Sequence, residues 1–372
     1  MIDFINYLLN GLSLGCIYAL IAVGYSMVYG IIKLINFAHG EFYMFGAFVG
    51  YFVLLTFFGG VANGPDLSLF ALLAALFLAG TATGILAVVT EWLVYRPLRS
   101  SGRIVALLAA LGVSLLLQNA GQQTVGAKDR TFPHIFTSQR FPRSQISADD
   151  VQAGKTASTD ISIVYKRHDP DGVRTEVENL ATRGNTIEAP RVERMREILK
   201  MPDATAEIYS YPAVTVSNAQ GLILIVLLLT AVSLYGLVQH TRFGRAMRAV
   251  SHDFDAAKLM GIDVNRVIAG TFFIGAFVAG IGGTLAGGMY YGQIGPLMGL
   301  MPGLKAFVAA VFGGIGSIPG ALLGGILLGT SEKLVEAYFS SLYSDAFTFA
   351  ILILVLVMRP SGLLGRPSSE KM

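Results

Sequence analysis

The sequence predicts an all-α polytopic membrane protein with eight to nine transmembrane helical segments and one polar insertion, and three observations carry that expectation. Of 372 residues, 53% are apolar and only 14% are charged, with a mean hydropathy of +0.61; soluble domains carry about 25% charged residues. Apolar runs close to the ~20 residues that a bilayer requires recur at 4–29, 37–58, 68–95, 104–124, 218–238, 267–290 and 346–358. A further apolar tract, 301–338, is broken at Gly313, Gly314, Gly316, Ser317, Ile318, Pro319 and Gly320, which predicts a short helix followed by a full one.

The opening residues Met-Ile-Asp-Phe-Ile-Asn offer no basic lead and no small-residue cleavage site, so the first run is expected to be a span and not a removable signal. Basic residues cluster at Lys33, at Arg96, Arg99 and Arg103, at Arg242, Arg245, Arg248, Lys258 and Arg266, and at Arg359, Arg366 and Lys371, whereas 59–67 and 291–300 contain none. The positive-inside rule then predicts an outside N-terminus and a cytoplasmic C-terminus. Three regions follow: spans 1–4 in residues 1–124, a polar extracytoplasmic insertion at 125–217, and spans 5 to 8 or 9 in 218–372.

The insertion holds thirteen basic and thirteen acidic residues with six prolines, and no run in it is apolar enough to cross. Long loops translocate regardless of charge, so its arginines do not oppose an outside location. Residues 162–165 predict a strand, 168–173 a turn carrying Asp171-Gly172, and 191–201 a short charged helix. Ala153-Gly154-Lys155-Thr156 mimics the end of a nucleotide-binding loop, but Asp149 stands where that loop needs glycine and no buried strand precedes it. The chain itself is therefore not expected to bind ATP.

Residues 239–266 form a polar island between two apolar runs. Strong helix formers mixed with charge run from Arg242 to Gly261, and predict a short amphipathic helix stopped by glycine. Such a helix suits a segment that lies along the membrane face and docks in a partner's groove; a solvated loop helix would show the same pattern.

Polar residues inside spans are candidates for a pathway or for helix-to-helix hydrogen bonds. Asn36, His39 and Glu41 open the second span, Gln118 and Asn119 lie near the end of the fourth, and Lys305 begins the broken tract. The break at Gly316 and Pro319 belongs with them, since interrupted helices expose half-helix ends. Glu91, Glu332, Lys333 and Glu336 are expected near helix ends, snorkelling or paired. Glycines four apart, Gly46/Gly50, Gly320/Gly324 and Gly325/Gly329, predict close helix packing. His39 has no second histidine or cysteine at ligand spacing, so no metal is expected. The single cysteine, Cys16, excludes a disulfide framework. No triad or paired carboxylate supports catalysis, and a net charge of +3 argues for no nucleic-acid partner.

Four runs together resemble one family. They are Leu34-Ile35-Asn36-Phe37-Ala38-His39-Gly40-Glu41, Arg242-Phe243-Gly244-Arg245-Ala246-Met247-Arg248-Ala249-Val250, Ala256-Ala257-Lys258-Leu259-Met260-Gly261-Ile262, and the stretch from Lys305 to Ala321. The chain resembles the permease subunits of branched-chain amino-acid ABC importers of the high-affinity leucine/isoleucine/valine type, over all but the insertion. The resemblance implies a multi-pass protein of a bacterial inner membrane, two ABC ATPase subunits that bind ATP and Mg, a second related permease and a periplasmic substrate-binding protein. It makes 239–266 the cytoplasmic coupling loop, with Arg245, Ala249, Asp253, Ala256, Ala257 and Gly261 at its core. The family carries a much shorter loop where this chain has its insertion. Two rivals stay open: a urea or short-amide permease, and a stand-alone channel or sensor.

Overall fold

A computed structural model describes residues 2–58, 68–99, 101–132, 138–141, 144–145, 161–169, 172–180, 205–210, 214–359 and 361–365. They divide into two compact units, a helical one from Tyr7 to Thr137 and from Asn218 onward, and one that joins the strands of 138–217 with the residues up to Asn6.

The helical unit begins with α1 (Ile2–Ile32), α2 (His39–Phe58), α3 (Ser68–Thr90), which tightens into a π turn at Glu91–Tyr95, and α4 (Arg103–Val125). It resumes with α5 (Asn218–His240), the short α6 (Arg242–His252) and α7 (Phe254–Leu259), and α8 (Val264–Leu285), which ends in a second π turn at Ala286–Tyr291. It closes with α9 (Leu300–Gly313), α10 (Ile318–Tyr338) and α11 (Ser344–Met358). The two-residue strands β1 (Arg130–Thr131) and β8 (Gln293–Ile294) pair antiparallel.

Among the described residues seven helices are long and apolar enough to cross a membrane, and α9 and α11 are apolar but shorter. The chain is thus a polytopic helical membrane protein. At 1.5 Å per residue the 14-residue α9 is about 21 Å long, short of the ~30 Å hydrocarbon core. The broken tract therefore resolves into a partial helix and a full one.

Small residues set the packing. A side chain added at Gly46 would strike the backbone of Gly280, one at Gly325 the backbone of Ala19, and one at Gly329 the backbone of Gly15. Thus α2 runs against α8, and α10 against α1. Without a hydrophobic force between helices in lipid, such backbone approach is what holds a bundle together. Thr284 on α8 adds an Oγ1 hydrogen bond to the Gly46 carbonyl at 3.1 Å.

Caps place the breaks. Ser317 Oγ accepts from Gly320 N at 3.2 Å and Pro319 sits in the first turn of α10. Gly314, at φ +110°, turns the chain between α9 and α10, a conformation open to glycine. The segment expected as one helix over 242–261 is two. Asp253 interrupts it because its carboxylate accepts from Asp255 N at 2.8 Å and Ala256 N at 3.0 Å, starting α7 afresh. Gly261, at φ +78°, ends it as expected, and Asp263 caps α8.

In the strand unit β4 (Ile161–Asp169) and β5 (Gly172–Leu180) form an antiparallel hairpin with Asp169 opposite Gly172. The sheet has the order β3 (Ser144–Gln145), β6 (Thr205–Ser210), β4, β5, and β2 (Ser138–Phe141) pairs with β7 (Val214–Ser217). The strand expected at 162–165 lies in the first half of β4. The expected helix 191–201 and the loop mimic 153–156 lie outside the described residues.

Candidate functional site

Two places in the helical unit gather the predicted residues. The first is the elbow between α5 and α8. Thr241 Oγ1 caps α6 by accepting from Gly244 N at 3.0 Å. The missing side chain of Gly244 lets α6 press on the carbonyls of Leu237 and Val238, and the Arg248 guanidinium donates to the Val238 carbonyl. On the other flank the Phe243 ring lies over Gly270 of α8. The elbow is therefore braced against the ends of two long helices.

Its outer face carries Arg245, Asp253, Ala256 and Gly261, all exposed, with Ala249 half-buried. Ala257 is turned inward at 3% exposure. Leu259 and Met260, which sequence reasoning did not single out, are 88% and 81% exposed at the tip. Their signal was present: two large apolar residues directly before a helix-stopping glycine, in an otherwise polar loop. Two backbone donors hold the Asp253 carboxyl below the usual carboxylate range.

The second place lies inside the bundle. After α1 ends at Ile32, residues 33–38 turn back, and α2 begins at His39 beside Gly24 and Tyr25. Gly24 precedes the end of α1 by eight residues, about 12 Å of helix, so α2 starts well within the bundle. The first turn of α9 meets it there, since Gly40 packs backbone to backbone on Gly299 and Gly303. Two helix N-termini, each with free N–H groups and a partial positive charge, thus converge deep in the bundle.

Glu41 stands at that junction, 1% exposed. Its Oε1 accepts from Gln118 Nε2 at 2.7 Å and from Ser114 Oγ at 3.2 Å, one turn apart on α4. Its Oε2 has no hydrogen-bond partner among the described residues and lies against Gly299. The His39 ring stacks edge-on with Tyr25 at 4.6 Å and faces α1 at Gly24. Ser114 was missed, although its four-residue spacing from Gln118 places both on one face.

The remaining candidates are dispersed. Asn36 is tied to Tyr95, whose hydroxyl donates to its Oδ1 at 2.6 Å. Asn119 is exposed and donates to Leu115 O in its own helix, at 2.8 Å. Lys305 belongs to a separate polar cluster with Glu332, Asp345 and Tyr18. Gly316 and Pro319 sit at the elbow's end of the bundle, where a cleft is lined by Ser26, Gly30, Met247, Arg248 and Gly316. The helix starts that meet within the bundle are those of α2 and α9. Glu91 and Glu332 do not snorkel; they are 0% and 4% exposed and both are ion-paired.

A family model described as the branched-chain amino acid transport system / permease component matches residues 7–356. A Salmonella typhimurium protein named high-affinity branched-chain amino acid transport system permease protein LivH is 38% identical over 99% of this chain and 97% of its own. The protein of the same name from Escherichia coli K12 is 37% identical over 99% and 97%. The Pseudomonas aeruginosa permease protein BraD is 35% identical over 99% and 98%. No solved structure matches.

Proposed function

The chain belongs to the permease-component family of branched-chain amino acid transport systems, and from that premise we propose that it is the membrane-crossing permease subunit of an ABC importer for leucine, isoleucine and valine. It is a transport component, not an enzyme. ATP and Mg are held by two separate ATPase subunits, a second related permease completes the pathway, a periplasmic binding protein delivers cargo, and lipid surrounds the spans. The N-terminus faces outward, 125–217 is extracytoplasmic, and 239–266 with the C-terminus is cytoplasmic.

Within this reading the elbow is the coupling loop. The observation that carries it is the pair Leu259 and Met260, almost fully exposed on a loop braced against α5 and α8. Large apolar side chains on a polar, cytoplasmic elbow supply the anchor that a groove in a soluble ATPase recognises. Arg245, Asp253 and Ala256 rim that anchor, whereas Ala257 packs behind it and sets its angle. The cluster of His39, Glu41 and Gln118 belongs to the pathway: Glu41 Oε2 offers an unshared acceptor to a cargo ammonium group when the α2/α9 junction opens. A single weak polar contact suits a route, because tight binding would trap the cargo.

The test is reconstitution in vesicles. The permease pair with its ATPases and binding protein should take up leucine, isoleucine and valine only when ATP is supplied on the elbow side, and should leave urea and short amides behind. Uptake by the chain alone without ATP, or preference for urea, would overturn the reading.

A further inference from the structure

Two helices separated in sequence meet the elbow's end of the bundle through one polar strap. Asn265 is in the first turn of α8, two residues after the Asp263 cap. Arg99, in the connection between α3 and α4, donates from Nη1 to Asn265 Oδ1 at 2.8 Å. The same guanidinium donates to Glu91, and Arg96 holds the other Glu91 oxygen at 3.2 Å. Glu91 is fully buried, so this double clamp fixes the connection on the π turn Glu91–Tyr95. Burial pushes the Arg99 guanidinium below its ordinary value, against the opposing pull of Glu91.

The clamped turn carries Tyr95, which donates to Asn36 Oδ1. That oxygen also accepts from Ala38 N at 3.1 Å. Ala38 directly precedes His39, the first residue of α2 at the junction inside the bundle. A continuous chain of bonds therefore runs from the residue behind the elbow, through Arg99, Glu91 and Tyr95, to the start of α2. The turn back from α1 is held in an uncommon conformation, with Lys33 at φ +54°, which a residue other than glycine adopts only when its surroundings impose it.

We propose that Asn265, Arg99 and Tyr95 are positioning residues that convey movement of the elbow to the N-terminus of α2, and so open and close the junction at Glu41. The proposal rests on the reading of 239–266 as the coupling loop. Spatial continuity alone does not establish coupling; a cycle of two variants does.

Among the described residues no hydrogen bond joins Asn265 to Tyr95; the polar link between them runs through Arg99 and Glu91, while the Tyr95 ring also packs on Phe272 of α8 at 5.4 Å between centroids, so effects that were not linked through the strap would add. In the assembled transporter, Asn265→Ala and Tyr95→Phe should each lower cargo moved per ATP hydrolysed by about tenfold, within the usual range of coupling between sites. The double variant should lose no more than either single one. Asn265→Asp, which keeps an acceptor for Arg99, should restore coupling, while thermal unfolding stays as in the parent. Additive losses, or a parental ratio in Asn265→Ala, would overturn the relay. Leu259→Asp separates the premise: if it abolishes ATP-driven uptake while Asn265→Ala does not uncouple, the relay alone fails. If Leu259→Asp changes nothing, the coupling loop fails and the relay with it.

Discussion

Lys305 Nζ lies 2.7 Å from Glu332 Oε1 and 2.6 Å from Asp345 Oδ1, joining α9 to α10 and α11 through one ammonium group. Tyr18 of α1 donates to the other Glu332 oxygen at 3.0 Å. The partial helix α9 is thereby fastened to three neighbours. Removing one member of a buried pair strands the other and costs about 3–5 kcal/mol. Lys305→Met should be the more damaging change, since it leaves Glu332 with Tyr18 alone. Glu332→Gln leaves Lys305 with Asp345, which is half exposed. The double variant should be more stable than Lys305→Met. Thermal unfolding of the purified protein reads the order, and a double variant worse than both singles would contradict it.

Glycine contacts make a second prediction. Gly46 faces the Gly280 backbone with no space for a further carbon, whereas Gly112 on α4 has nothing within 4 Å of an added one. Gly46→Leu should destabilise the α2/α8 pair by at least the ~1–3 kcal/mol of ordinary overpacking. Gly112→Ala should be neutral or slightly stabilising through helix propensity, by up to ~1 kcal/mol. Yield of folded protein and its unfolding temperature check both.

The spans were legible because lipid imposes a length and a composition that a run of letters displays directly. The glycine spacing was legible for the same reason: Gly325 and Gly329 must approach α1 on one face, and the four-residue interval shows it. The broken tract was readable at its turn, where Gly314 and Pro319 advertise the break. Its other end was not, because α9 begins within the bundle only on account of Gly40 packing on Gly299, a contact between residues 259 positions apart. For Glu91 and Glu332 the sequence left snorkelling and pairing both open, and pairing is what occurs; the partners Arg99, Lys305 and Tyr18 reveal themselves only once helices are placed. The division of the elbow at Asp253 was visible in principle, since Asp followed by Asp255 and Ala256 supplies a cap, but it competed with strong helix formers on both sides.

Asp253 makes the elbow pH-dependent in a direction that follows from its cap. Its carboxyl is held below its ordinary value by the amides of Ala256 and Asp255. A lowered native pKa means that the stabilisation is fully present above the unfolded value and is lost as pH falls through the native one, hence below about pH 4. Measured relative to the intrinsic rate at each pH, hydrogen exchange at the α7 amides should therefore accelerate on acidification in the parent protein, up to that rate as its limit. Asp253→Asn, a comparable cap without a titrating group, should remove that acceleration; Asp253→Ala should show fast exchange at every pH. Identical profiles for all three would rule out the cap as the holding contact.

Glu41 allows charge to be separated from shape. Glutamine in its place retains the volume and an acceptor for Gln118 and Ser114, but withdraws the negative charge that faces the N-termini of α2 and α9. If the carboxylate serves only to fill the junction, Glu41→Gln should unfold and transport like the parent. If it meets the cargo's ammonium group, assembly and basal ATP hydrolysis should persist while uptake falls by about tenfold or more, since a hydrogen bond to a charged group is worth ~1.5–3 kcal/mol. The Gln118→Leu variant sharpens the distinction, because it strips a donor from Oε1 without touching the charge. It should weaken transport less than Glu41→Gln does. A reversed order would place the chemistry on α4, and would make the carboxylate a support for Gln118 in place of a contact for cargo.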